Sequence, residues 1–355
     1  MNKSEYHIVG VMSGTSLDGV DLVNLTFTYV EGDWSYKIHS SSTVPYSKKW
    51  YDILKHVVSK SLEDIQEIDM EYTTYLGSII QDFITRNGIK DLDAVCSHGH
   101  TALHQPEKGM TYQIGNLPII YDILKTPIVC NFRVQDVAFG GQGAPLVPIG
   151  DKLLFSDFDF CLNLGGFANI STEIKNERIA YDICPVNIAL NHYVSLLGLD
   201  YDDKGLIASN GIIHLELLNQ LNSLDFYKKN PPKSLGLEWV NQHVFPLIDS
   251  FQLPVETVLR TFVEHVAMQI SKEINKKPKA KVLVTGGGAY HSFLIKQIEG
   301  RTSNSLIIPE NELVEFKEAL VFGFLGVLKL REEVNCLSSV TGAKRDHSSG
   351  IIFNH

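Results

Sequence analysis

The chain has 355 residues, of which 44% are hydrophobic and 20% are charged. A chain of this length exceeds the size at which one hydrophobic core keeps growing, so we expect about two domains. The composition excludes an intrinsically disordered protein. The 31 basic and 41 acidic residues leave a net charge of -10, and without a run of Lys or Arg this charge disfavours binding to nucleic acid.

The start of the chain and its apolar runs predict where the protein resides. Residues 1–6 are short and polar and lead directly into the apolar run 7–12, which leaves no room for a signal peptide and predicts a cytoplasmic protein. The longest apolar stretch, 320–328, is too short to cross a bilayer, so no membrane span is expected.

The five cysteines are far apart and lack metal-ligand spacing. They are predicted to be buried thiols of a reducing compartment, and Cys184 is predicted to be a packed thiol like the others.

The first elements along the chain are predicted to be strands. Segments 7–14, 20–30 and 36–45 are rich in Val, Ile, Thr, Tyr and Phe and are separated by glycine-containing turns. This pattern predicts three successive antiparallel strands.

Two helices and two buried strands are predicted next. The helices cover 47–59 and 61–88, and the second begins with a capping-box pattern at Ser61. The strands cover 93–97 and 127–130. Together with the first three strands they predict a mixed α/β unit.

The second half of the chain repeats this architecture without repeating the sequence. Strands are predicted over 158–174 and 178–183, and a helix over 254–274 carries apolar residues at three- and four-residue spacing, which indicates a core-facing stripe. A strand over 281–285, a glycine turn and a helix over 291–299 follow. Such a turn brings backbone N–H groups close to a ligand.

Three glycine turns follow predicted strands and are candidate anion sites. Their residues are Gly14, Thr15, Ser16, Leu17, Asp18, Gly19, Val20 and Asp21 in the first, Gly165 and Gly166 in the second, and Gly286, Gly287 and Gly288 in the third. Taken singly, the first is an ordinary Asp-Gly hairpin and the others are turns that only reverse the chain. Together, in two similar halves, they predict a clamp on phosphates from each side and a site for a nucleoside.

Asp136 lies in a segment that ends in a glycine-rich run closed by proline. This composition suits neither helix nor strand, so we predict a functional loop. In one interpretation Asp136 is a general base and Arg133 binds an anionic group of a substrate. In the other, the two side chains pair with each other on a turn, and the residues favour neither interpretation.

His98 and His100 lack a third metal ligand at suitable spacing, which favours hydrogen bonds to a substrate or to backbone.

With these residues in view, the chain resembles the anhydro-N-acetylmuramic acid kinase family, within the superfamily of sugar kinases, hsp70 and actin. The matching segments, in the family's order, are 10–21, 97–99, Asp136 with 140–148, 163–166, 231–234, 286–289, 317–319 and 339–343. The resemblance implies an α/β fold with two actin-like, hexokinase-like ATPase domains. Each is expected to hold a mixed β-sheet flanked by helices, with the active site in the cleft between them.

The resemblance also implies domain ranges and partners. The expected N-terminal domain is 1–132, and the expected C-terminal domain is 133–340, which carries the nucleotide-binding glycine loops. The tail 341–355 is left without a domain assignment. ATP and Mg²⁺ are the implied cofactors and a small amino sugar is the implied substrate. A homodimer fits the resemblance, whereas nucleic-acid and membrane partners do not.

The reaction implied is ATP-dependent phosphorylation of 1,6-anhydro-N-acetylmuramic acid with hydrolytic opening of the anhydro ring, giving N-acetylmuramic acid 6-phosphate for peptidoglycan recycling. Asp136 would activate the water, Arg133 would bind the lactyl carboxylate, and His98 would contact the substrate. Glu318 would bind a substrate hydroxyl or form a structural pair at a helix start. The first two glycine turns would contact ATP phosphates and the third the nucleoside. Asp18 is a candidate partner of Mg²⁺, whose ligands are otherwise unassigned.

Some positions depart from the family pattern. Where the family has Asp-Thr-Gly-Pro-Gly-Asn, this chain has Asp-Ile-Cys-Pro-Val-Asn over 182–187, and His100 stands in place of a glutamine. These changes leave two alternatives open. One is a kinase of the same superfamily that acts on another amino sugar, and the other is a non-catalytic sensor of nucleotide and muropeptide.

Overall fold

A computed structural model describes residues 3–14 and 17–354. Its strands are β1 (Glu5–Ser13), β2 (Val20–Val30), β3 (Asp33–Val44), β4 (Ala94–Ser97), β5 (His100–Gln105), β6 (Met110–Ile114), β7 (Ile128–Cys130), β8 (Phe160–Leu164), β9 (Phe167–Ile174), β10 (Glu177–Pro185), β11 (Lys281–Thr285), β12 (Ser305–Ile307) and β13 (Ile351–Phe353).

Helices connect these strands along the chain. They are α1 (Lys48–His56), α2 (Leu62–Arg86), α3 (Ile119–Leu124), α4 (Val134–Ala138), α5 (Pro148–Leu154), α6 (Asn187–Ser195), α7 (Leu206–Asn210), α8 (Leu215–Ser223), α9 (Leu237–Trp239), α10 (Phe245–Asp249), α11 (Val255–Ile274), α12 (Ser292–Glu299), α13 (Asn311–Leu330) and α14 (Ser338–Thr341). Within the described ranges, none of them is long and apolar enough to cross a membrane.

The chain divides into two compact units. Unit 1 contains residues 1–154 and 316–355, and unit 2 contains residues 155–315. This division differs from the predicted ranges 1–132 and 133–340. The segment after residue 132 and the end of the chain both pack with unit 1, because α13 and β13 return to the first sheet.

The sheet of unit 1 begins with the predicted antiparallel strands. Its order is β13-β7-β4-β1-β2-β3, with β1 parallel to β4 and β4 parallel to β7. The capping box at the start of α2 is also confirmed, because Ser61 Oγ accepts from the Asp64 N–H at 3.1 Å and the Asp64 side chain accepts from the Ser61 N–H. Apolar side chains of α2 pack on one face of the sheet, and Tyr72, Leu76 and Ile80 are fully buried there.

The sheet of unit 2 has the order β10-β9-β8-β11-β12. The strands β8, β9 and β10 are antiparallel, and β11 is parallel to both β8 and β12. When only the strands of each main sheet are counted along the chain, which leaves out the separate β5–β6 hairpin, both sheets contain the strand order 3-2-1-4-5, and unit 1 adds β13 at one edge. The predicted repeat of architecture and the α/β class with a mixed sheet in each half are therefore confirmed. The long helix α11 is the centre of the unit 2 core, as its apolar stripe predicts.

Candidate active site

In unit 1, polar residues follow the carboxyl ends of parallel strands. β1 ends at Ser13, and β4, which runs parallel to it, ends at Ser97 just before His98. The His98 N–H donates to the Val11 carbonyl oxygen at 3.0 Å, which fixes the two strand ends side by side. Carboxyl ends of neighbouring parallel strands are where α/β sheets place ligands.

The first glycine turn connects β1 to β2. Ser13 pairs with Val20 in the antiparallel register, so the connection covers six residues, 14–19, and is longer than a two-residue hairpin turn. Leu17 adopts a left-handed backbone conformation with φ 63°, which is a strained conformation of the kind that clusters at functional sites. Asp18 is exposed. Two predicted residues of this turn, Thr15 and Ser16, lie outside the described residues.

The strand before this turn is held by a buried hydroxyl network. Ser13 Oγ lies 2.9 Å from His100 Nδ1 and 2.5 Å from the Tyr46 hydroxyl, and it accepts from the Tyr72 hydroxyl at 2.8 Å. Burial lowers the pKa of His100 to about 4, so this imidazole is neutral at pH 7. The two tyrosines were missed by sequence reasoning, because an aromatic residue in an apolar helix pattern predicts only core packing.

His98 and Arg133 contact each other. The buried His98 imidazole donates through Nδ1 to the Gly99 carbonyl oxygen at 2.7 Å, and its Nε2 accepts from Arg133 Nε at 2.8 Å. Burial and the charge of Arg133 lower the pKa of His98 well below its usual value, which agrees with a neutral acceptor. Loss of solvation lowers the pKa of Arg133 to about 10, so the guanidinium remains a cation at pH 7.

Asp136 lies within the short helix α4 and not in a loop, so the loop prediction is wrong for this residue; the glycine-rich run after it is irregular. Its carboxylate is fully buried. Oδ1 accepts from the Thr341 hydroxyl at 2.7 Å and from the Cys336 thiol at 3.1 Å, while Oδ2 accepts from the Gly143 N–H at 2.7 Å. Burial and the neighbouring Asp136 raise the pKa of the Cys336 thiol, which keeps it protonated and able to donate.

The predicted alternative of an Arg133–Asp136 pair does not describe the hydrogen bonds. Arg133 donates to His98 and, through Nη1, to the Gly143 carbonyl oxygen at 2.6 Å. Asp136 has the separate partners given above. The segment 140–143 thus contacts both side chains, since Gly143 donates to one and accepts from the other. Gly141 packs so close to Asp136 that a Cβ there would lie 2.2 Å from Oδ2.

Glu318 lies in the middle of α13 and not at a helix start, so the predicted pair at a helix start is not formed. Its neighbour Lys317 makes a buried ion pair with Asp151 at 2.7 Å. Loss of solvation raises the pKa of Glu318, and the charge of Arg133 opposes that rise. Because the side chain is nevertheless open to solvent, we treat its carboxylate as ionised at neutral pH.

In unit 2, the other two glycine turns meet at the ends of parallel strands. Gly286 adopts φ 82°, and a Cβ at that position would lie 2.6 Å from Asn163 Oδ1. A Cβ at Gly288 would lie 2.7 Å from the Leu164 Cβ. Only glycine allows the turn after β11 to pack this closely against the end of β8. Residues 165–166 are partly exposed beside it.

A cavity of about 620 Å³ opens beside the Gly286–Gly288 turn. It is lined by Asn187, Asp202, Gly287, Ala289, Tyr290 and His291, among others. The volume suits a nucleoside-sized ligand. The third predicted turn therefore lies where a ligand has room.

The candidate residues fall into two sets. Unit 1 holds Gly14, Leu17, Asp18, Gly19, Val20, Asp21, His98, Arg133, Asp136 and Glu318, and unit 2 holds Gly165, Gly166, Gly286, Gly287 and Gly288. The structure also adds contacts to Asp136 from Thr341 and Cys336. The segment 339–343 matches the family pattern, but the sequence predicts no role for it. Its contact with Asp136 joins residues about 200 positions apart, and such a contact has no local sequence signal.

Comparison with known families settles the relationship. The model of the family described as anhydro-N-acetylmuramic acid kinase matches residues 6–355. The chain belongs to this family.

Several curated members of the anhydro-N-acetylmuramic acid kinase family align with almost the full chain. The protein of that name from Mannheimia succiniciproducens is 33% identical, and the alignment covers 98% of both chains. Its namesake from Sulfurimonas denitrificans is 31% identical over 99% of this chain and all of its own. Among solved structures, component A of (R)-2-hydroxyglutaryl-CoA dehydratase from Acidaminococcus fermentans is similar, with 10% identity, a TM-score of 0.48 and coverage of 92% of this chain and 99% of that one.

The segment 182–187, where this chain departs from the family pattern, keeps its two polar ends in place. Asp182 Oδ2 accepts from the Leu235 N–H at 2.7 Å, and Asn187 Nδ2 donates to the Leu164 carbonyl oxygen at 3.3 Å. Cys184 is fully buried in the unit 2 core, and burial raises the pKa of its thiol. The prediction of a packed thiol at Cys184 is confirmed, and so is the burial of the other four cysteines.

Proposed function

We propose that this chain uses ATP to phosphorylate 1,6-anhydro-N-acetylmuramic acid at O6 while water opens the anhydro ring. The match to the family model over residues 6–355 carries this proposal. The oxygen of water bonds to the anomeric carbon, the bond from that carbon to O6 breaks, and O6 bonds to the γ-phosphorus as ADP leaves. The products are N-acetylmuramic acid 6-phosphate and ADP, which suits a role in peptidoglycan recycling.

Asp136 is the general base that takes the proton from the attacking water. A carboxylate oxygen has two lone pairs. Oδ1 already accepts two hydrogen bonds, whereas Oδ2 accepts one, from the Gly143 N–H, so Oδ2 keeps one acceptor position for the water. Because the carboxylate is fully buried, this role requires the glycine-rich segment 140–148 to move before water reaches Oδ2. One carboxylate that activates water opposite a departing sugar oxygen is the logic of an inverting glycosidase.

Arg133 binds the lactyl carboxylate of the substrate. Its hydrogen bonds to the described residues use only Nε and Nη1, so Nη2 is available to an anion. A guanidinium N–H group forms a short, charge-assisted hydrogen bond to a carboxylate. His98 orients Arg133 toward the substrate, and Glu318 accepts a hydrogen bond from a sugar hydroxyl.

ATP is held by backbone and hydroxyl donors more than by basic side chains. The three glycine turns contain no Lys or Arg. The turn 14–21 and the pair Gly165 and Gly166 contact the phosphates, and the cavity beside Gly286–Gly288 takes the nucleoside. An acidic chain can therefore bind a polyanion.

Mg²⁺ accompanies the nucleotide. The exposed carboxylate of Asp18 lies in the first glycine turn, and carboxylate oxygens suit this ion, which is otherwise held by substrate phosphates and water. When bound, the ion neutralises charge on the phosphates. Asp18 would hold it directly or through its water shell.

The protein works in the cytoplasm, where ATP is available, and as a homodimer. Residues 196–215 of unit 2 expose several large apolar side chains, namely Leu196, Leu199, Tyr201, Leu206, Ile212 and Leu215. Large apolar side chains exposed along one short stretch are typical of surfaces that contact another protein. Light scattering coupled to size-exclusion chromatography tests this: a mass of one chain at micromolar concentration contradicts the dimer.

The decisive experiment measures ADP release from ATP with the anhydro sugar as acceptor. The wild-type chain is expected to release one ADP for each sugar phosphorylated. Asp136→Asn is expected to lower kcat by about 10²–10⁴-fold, because the amide cannot accept the proton. Asp157→Asn, at an exposed carboxylate, is the matched control.

The outcomes separate the alternatives. Faster turnover of N-acetylglucosamine or free N-acetylmuramic acid than of the anhydro sugar assigns a different amino sugar as the substrate. Tight binding of both ligands without ADP release indicates a sensor. An Asp136→Asn variant that folds and retains the wild-type rate removes Asp136 from the mechanism.

A further inference from the structure

Three side chains with metal-ligating atoms converge behind the carboxylate of Asp136. Asp136, Cys336 and His347 are all buried, and one ligand atom from each lies within 4.8 Å of the others. Asp136 Oδ1 is 3.1 Å from Cys336 Sγ and 3.6 Å from His347 Nε2. In the proposed reaction Cys336 only donates a hydrogen bond to Asp136, and His347 has no role.

His347 presents a ring nitrogen without a hydrogen bond to this cluster. Its Nδ1 lies 3.0 Å from the carbonyl oxygen of Arg345, to which it donates, and its Nε2 faces Asp136 Oδ1. Nε2 is buried and has no hydrogen-bond partner among the described residues. The side chain as a whole is only 6% exposed. A buried ring nitrogen and a carboxylate oxygen that are 3.6 Å apart, too far for a hydrogen bond, can both be satisfied by one cation bound between them.

Two of the three spacings between the ligand atoms are close to those of a tetrahedral metal site. Zinc bonds of about 2.0 Å to nitrogen and oxygen and about 2.3 Å to sulfur place neighbouring ligand atoms roughly 3.3–3.7 Å apart. The two distances from Asp136 Oδ1, 3.1 Å and 3.6 Å, are close to this range without any ion present. Coordination is complete once side-chain shifts bring Cys336 Sγ and His347 Nε2, which lie within 4.8 Å of each other, into this range.

We propose that Asp136, Cys336 and His347 bind a divalent cation of the zinc class, with one coordination position left for water. Binding converts the Cys336 thiol to a thiolate and releases its proton to solvent. The thiolate and imidazole ligands select zinc over Mg²⁺, which prefers oxygen ligands, so this ion is distinct from the one that accompanies ATP.

The consequence for activity rests on the proposed role of Asp136 as general base. A cation bonded to its carboxylate removes the base from the reaction, so zinc is expected to inhibit the kinase even when Mg²⁺ and ATP are in excess. Zinc could also inhibit by binding to ATP, but that inhibition would be equal in every variant of the protein. A difference between variants therefore reports on the site at Asp136, Cys336 and His347.

The test begins with Co²⁺, a coloured substitute for zinc, added to the untagged full chain after treatment with a chelator. We expect one equivalent to bind with a thiolate-to-cobalt charge-transfer band in the near ultraviolet. Cys336→Ser keeps an O–H donor for Asp136 and is expected to lose the band. His347→Gln is expected to weaken cobalt binding by about tenfold or more. Cys184→Ala, which removes another buried thiol, is the matched control, and circular dichroism checks that each variant folds.

The second measurement is the zinc concentration that halves the rate of each variant relative to its own rate without zinc. We expect this concentration to rise at least about tenfold in Cys336→Ser and His347→Gln. A wild-type chain without the near-ultraviolet band, or a band that Cys336→Ser retains, overturns the metal site and leaves the kinase proposal standing. A band that depends on Cys336, together with full turnover in zinc, supports the site and contradicts Asp136 as the base.

Discussion

The hydroxyl of Thr341 donates to Asp136 Oδ1 at 2.7 Å from a position 205 residues away in the sequence. This contact, together with the Cys336 thiol, occupies Oδ1 and leaves the free lone pair on Oδ2. Thr341 is therefore a positioning residue for the base. It touches Asp136 from the segment 339–343, which matches the family pattern.

Thr341→Val keeps the shape of the side chain and removes its donor. We expect kcat to fall about tenfold to a hundredfold, because a hydrogen bond to a charged group contributes about 1.5–3 kcal/mol and a tenfold change in rate corresponds to about 1.4 kcal/mol. KM for ATP should stay the same. Thr341→Ser restores a hydroxyl and is expected to recover most of the rate. Steady-state kinetics of both variants measure the two values of kcat. An equal loss of kcat in Thr341→Val and Thr341→Ser would show that the packing of the threonine side chain matters and not its hydrogen bond.

Helix α13 lies against the sheet of unit 1 through glycines, and this close approach carries Glu318 to the site. A Cβ at Gly10 on β1 would lie 2.2 Å from the Ala319 carbonyl oxygen, and a Cβ at Gly326 would lie 2.0 Å from Cys96 Sγ. The helix and the sheet are therefore so close at these two positions that only glycine, which has no Cβ, fits there. The spacing of residues in the sequence does not indicate which glycines of α13 are at this contact.

Gly326→Ala is expected to push α13 away from β4. Overpacking of this kind costs about 1–3 kcal/mol, so the midpoint of unfolding should drop while the secondary structure at low temperature is preserved. Gly300→Ala is the matched control, since a Cβ there meets its nearest atom at an ordinary 3.5 Å. Thermal unfolding followed by circular dichroism compares the two. Equal midpoints contradict the packing argument.

Elements whose signal is local were predictable from the sequence. Enrichment in β-branched and aromatic residues predicted β1, β2 and β3, the capping box at Ser61 marked the start of α2, and apolar spacing predicted α11. The hairpin of β5 and β6 was missed, because its strands are short and its polar residues resemble a loop. Asp136 was placed in a loop because a five-residue helix is shorter than any periodic pattern can reveal.

At the scale of the whole molecule, the repeat was predictable but the path of the chain was not. Both sheets contain the strand order 3-2-1-4-5, as expected from two similar halves. The return of the last 40 residues to unit 1, which brings Thr341 and Cys336 to Asp136, depends on contacts between distant segments. Composition and spacing contain no information on such contacts, so the tail 341–355 had no domain assignment from the sequence.

Acid sensitivity is a property of the whole fold, because several histidines are buried in a neutral form. Burial lowers the pKa of His265 from its usual 6.5 to about 3 and that of His100 to about 4. In the unfolded chain each binds a proton near pH 6.5, so their contribution to stability is complete above that pH and is lost as pH falls. Each lowers the free energy of unfolding by about 1.4 kcal/mol per pH unit between pH 6 and its folded pKa.

His265→Gln isolates one part of this dependence. The ring contacts Asn222 Oδ1 at 2.7 Å and the Tyr227 hydroxyl at 2.9 Å, and loss of these hydrogen bonds lowers stability by the same amount at every pH. Removal of the titrating ring changes the slope of the free energy of unfolding against pH. This slope is expected to fall by about 1.4 kcal/mol per pH unit between pH 6 and pH 4. Urea unfolding at several pH values, with the exposed His56→Gln as the surface control, measures that slope. A variant with the wild-type slope would show that His265 binds its proton over the same pH range in the folded and unfolded states. Only such a ring leaves the pH dependence of stability unchanged when it is removed.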